Sequence, residues 1–170
     1  MDDRDSASVS TSLSAESYIP IPNPNAKFLA ATQLIDIAGL PFGSIHDKIT
    51  DGKFSISFSA PAEKRGPVPL GWATWSSPPF SETPSPDVLV FSTNSLTMTL
   101  SEPVRTFGFE LEPASFTTFT YTADFYFGNE LVGSISRNIN GNGGARLMAF
   151  STDFIDRVVV SGPDEFAIAN

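Results

Sequence analysis

The stretch TTFTYTADFYF, Thr117 to Phe127, alternates along its length and sets Phe119, Tyr121, Ala123, Phe125 and Phe127 on one face. A period of two is that of a half-buried strand, because successive side chains leave opposite faces. Lys53 to Ser59 (KFSISFS) repeats the pattern, with Phe54, Ile56 and Phe58 on one side and serines on the other. The turn dipeptide Asp51-Gly52 precedes it, and Gly128-Asn129 turns the longer strand into Leu131 to Arg137.

Working outward, the chain reads as nine or ten short strands at the 8–12-residue spacing of a sandwich or barrel. Phe28 to Ile37, Asp87 to Ser92, Ser95 to Leu100, Val104 to Leu111, Arg146 to Phe150, Ile155 to Ser161 and Glu165 to Ala169 supply the others. Ser151 to Asp153 offers a capped helical turn. Ala60 to Pro86 is different: it concentrates proline and holds both tryptophans, so it predicts a long irregular excursion. The predicted fold class is all-β, a jelly-roll-like antiparallel β-sandwich with a long Pro/Trp-rich loop. Residues 1–25 are expected to be a disordered leader and a Pro-rich extended arm that cannot join a central ladder. Residues 26–170 are expected to form the single domain.

Composition narrows the chemistry. The 170 residues are 41% hydrophobic and only 17% charged, against about 25% in a typical soluble domain. The net charge of −9 opposes phosphate and anionic-membrane binding, both of which need basic surfaces. No run reaches the ~20 apolar residues of a membrane span. With no cysteine, disulfides, zinc thiolates and thiol nucleophiles are excluded. Met1 to Ser17 lacks the apolar run of a secretory signal peptide.

The C-terminal two-thirds carries a further pattern. Pro103 to Phe109 (PVRTFGF) leads to the aromatic strand Phe116 to Phe127, a Gly hairpin and Leu131 to Ser136 (LVGSIS). Ala149 to Ser151, Phe154 to Val158 and Phe166 to Asn170 (FAIAN) close it. This resembles the jelly-roll domains of bacterial surface and exported proteins, of the PEP-CTERM-associated or carbohydrate-binding-module-like type. The resemblance implies a non-catalytic module at an extracellular, cell or spore surface. Relatives often place an Asp near a structural Ca²⁺ in the last strand, where this chain has Ala169.

Candidate sites follow. Trp72, Trp75 and Phe80 could stack on the apolar faces of sugar rings, with Asn140, Asn142 and Arg146 of the glycine-rich hairpin tip supplying polar contacts. Asp36, Asp47 and Asp51 are candidate oxygen donors to a structural Ca²⁺. His46 reads as a surface or turn histidine, with no nucleophile motif beside it. Glu110 and Glu112 share a strand face at a separation that glycosidases use, but the turn after them predicts ordinary solvated carboxylates. The function read from these residues is a non-catalytic binding module for carbohydrate or another surface polymer. The alternative is a structural, self-assembling component of an extracellular matrix or spore outer layer. Its homo-oligomer would form through the N-terminal arm or open sheet edges.

Overall fold

The computed structural model describes residues 19–170, so the leader expected for residues 1–17 lies outside the described part. Nine strands form one antiparallel network: β1 (Ile19–Ile21), β2 (Ile45–Thr50), β3 (Ser55–Arg65), β4 (Val88–Phe91), β5 (Ser95–Pro113), β6 (Thr118–Phe127), β7 (Glu130–Asn140), β8 (Arg146–Ser161) and β9 (Phe166–Ala169). The hydrogen-bonded order is β2-β3-β4-β9-β5-β8-β6-β7, with β1 added to β8 and a further pairing of β3 with β5. That last pairing closes β3, β4, β9 and β5 into a ring of four, to which the other strands are appended.

Two predicted strands, Ser95 to Leu100 and Val104 to Leu111, are one bent strand. β5 runs through both, with register shifts between Thr99 and Thr106 where it crosses from one half of β8 to the other. Such bulges bend a strand and increase its twist. The expected helical turn at Ser151 to Asp153 lies within β8, whose pairing with β5 outweighs the local signal. β3 likewise runs to Arg65, beyond the predicted start of the Pro-rich excursion. Pro61 is exposed beside the register shift in its pairing with β2.

Near the N-terminus the structure differs from expectation. Residues 26–31 form a short helix, α1 (Ala26–Ala31), whose N-cap Asn25 accepts a hydrogen bond from the Phe28 N–H at 2.9 Å. AKFLAA has no β-branched residue, and an Asn directly before it favours a helix start. The preceding arm adds to β8 as the outer strand β1, with Pro20 opposite Phe150. It docks on its own domain, held also by Arg137 donating to the Ile21 carbonyl at 3.1 Å.

The main core fills the face of the network carrying Tyr121, Phe125, Phe91, Phe166 and Leu111, all fully enclosed. On β6 the buried residues include Tyr121, Ala123 and Phe125, with Phe119 partly buried, as the alternation predicts; Phe127 at the strand end is exposed. The second half of β5 is buried on both faces, since Phe109 to Pro113 are enclosed without interruption. Phe107, Phe109 and Leu111 point into the main core. The opposite face is covered by a second cluster of Val68, Trp75, Val88, Val90, Ala145 and Ala167, and by a third of Phe28, Leu147 and Ala149. The loop between β3 and β4 therefore lies on the sheet as an outer layer. The small side chains of Ala145, just before β8, and of Ala167 and Ala169 on β9 let it approach closely.

Candidate functional site

Glu110 and Glu112 stand on that second face, beneath the loop. Both are fully buried, which corrects the expectation of solvated carboxylates. Their strand is the same, but the loop has removed the solvent. Glu110 Oε2 accepts the indole N–H of Trp75 at 2.8 Å and the side-chain amide of Asn170 at 3.2 Å. Its Oε1 accepts the backbone N–H of Glu82 at 2.6 Å. Glu112 Oε1 accepts from Thr74 Oγ1 at 2.6 Å and from the Gly143 N–H at 3.1 Å, while Oε2 has no partner.

Burial pushes the Glu110 carboxyl up to about 7, with the bonds from Trp75, Glu82 and Asn170 pulling the other way. Glu112 is raised to about 7 for the same reason, opposed by the bonds from Thr74 and Gly143. An unpaired buried charge is costly, so such groups shift toward their neutral form. The arrangement fastens the loop to the sheet. Neither carboxylate is reached by solvent.

The sugar-stacking candidates are brought together, but largely as packing. Trp75 is only 6% exposed and has its N–H on Glu110, so its ring faces belong to the second cluster. Trp72 is half-buried against the same cluster. Phe80 is 44% exposed, with the Arg146 guanidinium 4.3 Å from its ring centroid. Asn140 donates to Thr118 Oγ1 at 2.9 Å and accepts the Asn142 N–H at 2.8 Å, closing the hairpin tip. Gly143 donates to Thr74 Oγ1 at 3.0 Å, and Ser76 to the Ala145 carbonyl at 2.7 Å. Tip and Trp loop thus brace one another. Asn142 stays exposed.

The three aspartates do not converge. Asp51 caps the β2–β3 turn, accepting the N–H groups of Phe54 at 2.7 Å and Lys53 at 2.9 Å, and these bonds hold its carboxyl below the usual range. Asp36 accepts the Ala38 N–H at 2.8 Å, and Asp47 is exposed on β2. Among the described residues no three His, Cys, Asp or Glu side chains gather to hold a metal. His46 is half-buried on β2, 2.7 Å from Ser44 Oγ.

A cavity of about 640 Å³ lies elsewhere, between the sheet and the segment that follows the arm. That size is typical of small-molecule sites. α1 and residues 32–37 cross it as a strap, with Phe28, Ile35 and Ile37 turned toward the sheet. Ile56, Phe58, Met98, Phe107 and Phe109 form the floor. Gln33 on the strap donates to Asp51 at 3.3 Å, tying it to the β2–β3 turn. Polar groups line the remaining wall, including Glu82, Thr83, Glu102, Arg105 and Asn170. Phe28 to Ile37 is therefore not the strand its apolar residues predict, and a strap over apolar strand ends has no periodic signature to reveal it.

The chain matches no protein-family model, and no curated protein matches it. Among the described residues no helix is long and apolar enough to cross a membrane.

Proposed function

We propose that this chain is a non-catalytic binding module that recognises carbohydrate or another surface polymer, at an extracellular, cell or spore surface. The observation that carries the reading is the cavity under the strap. It pairs a preformed apolar floor with polar groups on the wall and along the strap, the usual make-up of a binding site. The jelly-roll-like likeness to bacterial surface domains supports the same reading by analogy, which is weaker than the site itself. The seat moves accordingly from the tryptophans to the strap and floor.

The test is a glycan and polymer binding screen on the full chain, comparing wild type with Ile35→Trp, which fills the cavity, and with Trp72→Ala. Binding lost in folded Ile35→Trp and kept in Trp72→Ala supports the cavity. The reverse pattern moves the seat to the loop. Absence of binding to every polymer sinks the reading.

A structural role has its own supporting observation. Phe127, Leu131 and Phe154 are exposed, with the two phenyl rings 5.4 Å apart. Leu131 lies on β7, which among the described strands pairs only with β6. An open edge beside an apolar patch is a template for another copy. Sedimentation showing concentration-dependent assembly, abolished by Leu131→Lys, would favour this reading.

A further inference from the structure

The cavity has a charge asymmetry that its apolar floor does not explain. Among the described residues five carboxylates line it, from Asp36, Asp51, Glu82, Asp87 and Glu102, against the single cation Arg105. The described residues make two ion pairs, and only Lys64–Asp87, at 2.7 Å, reaches this wall. Glu82 is the most instructive of the five. It is half-buried, and desolvation raises its carboxyl above the ordinary range. Its charge also bears on Glu110, raising that group further. Glu82 and Asn170 both line the cavity and both donate to Glu110. The Glu82 backbone N–H sits on the Glu110 carboxylate, so the two acids lie close behind this wall, and no basic side chain among the described residues makes an ion pair with either. Like charges held together in a poorly solvated place are unfavourable, and a cation placed beside them relieves the repulsion.

We propose that the cavity takes a small amphiphile with a protonated amine head, its apolar body on the Phe58–Met98–Phe107 floor and its ammonium against Glu82. This goes beyond the polymer reading: it rests on the same cavity as the seat and names a different class of ligand for it. An anionic amphiphile meets the wrong sign of charge along most of the wall. A divalent cation lacks a converging set of donors among the described residues. An ammonium needs only acceptors, and its alkyl chain finds a floor already shaped for it.

Three probes that share one tail separate head from body: octylammonium, octyl glucoside and octanoate. Each is titrated into the full chain by calorimetry below its micellar concentration, with the Asn170 side-chain amide followed by NMR. Octylammonium is expected to bind at least about tenfold tighter than octyl glucoside, and octanoate to bind weakest. Glu82→Gln is expected to erase the ammonium preference, bringing octylammonium to the level of octyl glucoside. Its side chain makes no hydrogen bond in the loop fastening, which uses only the Glu82 backbone. Equal binding of octylammonium and octyl glucoside would overturn the head-group assignment while leaving the cavity as a seat. A preference for octanoate would overturn it too. An ammonium preference that survives in Glu82→Gln would overturn the placement of the head. If no octyl probe binds, the amphiphile assignment falls, while the polymer reading is decided by its own screen with Ile35→Trp. Should Glu82→Gln fail to fold, the wild-type ranking of the three heads still decides the class.

Discussion

Raising the pH from 5 to 8 should destabilise this protein, and the cause lies in Glu110 and Glu112. Each carboxyl rises from the ordinary 4.5 to about 7 in the folded state, so the folded chain holds these protons more tightly than the unfolded one. The associated stability is fully present below about pH 4.5 and is lost as pH climbs through 7. Every tenfold gain in proton affinity is worth about 1.4 kcal/mol, which makes the loss about 3 kcal/mol for each group. Total stability is on the order of 5–15 kcal/mol, so the loss is a large share of it. Groups displaced the other way act elsewhere. Asp51 is held low by backbone N–H groups and Glu63 by Arg65, and Asp164 by bonds from Ser115 and Glu165 that outweigh its burial. These contribute stability above their ordinary values, 3.8 or 4.5, and lose it only as pH falls further. Urea unfolding at half-unit steps from pH 5 to 8 reads the two glutamates, with Glu82, also raised by desolvation, adding in the same direction. Wild type should lose stability across the range, and Glu110→Gln with Glu112→Gln should flatten the slope. A wild-type curve that is level or rising, or a slope undiminished in the double variant, would refute the account.

Other consequences are smaller in scope. Trp75→Phe keeps most of the packing but removes one of three donors to Glu110; it should cost about 1–3 kcal/mol in urea unfolding and leave cavity binding intact. Gly141→Ala would drive a Cβ into the Ser115 and Pro113 carbonyls, costing about 3 kcal/mol or more. Gly128→Ala meets open space at φ +58 and should cost only about 1 kcal/mol, from backbone strain alone. Deleting residues 1–25 removes β1 and the Arg137–Ile21 bond. It should lower Tm without changing the oligomeric state on size-exclusion chromatography, because the arm docks on its own domain.

The alternation of Thr117 to Phe127 and Lys53 to Ser59 was legible as strands, because a half-buried strand writes its two faces into every second residue. Turns at Asp51-Gly52 and Gly128-Asn129 were legible for a similarly local reason. What covers the second face of β5 was not. Trp75 reaches Glu110 across 35 residues and Thr74 reaches Glu112 across 38, distances over which no periodicity speaks. One signal was present: Ala145, Ala149, Ala167 and Ala169 stand where a solvated face would carry polar residues, and small apolar side chains mark a covered one. The strap was hidden for a different reason. Its residues face a cavity wall made by β3, β5 and β9, and only the closing of those strands into a ring brings that wall into being. Local sequence determines which residues can alternate. The meeting of distant segments determines which carboxylates lose their water, and that loss of solvation sets their chemistry.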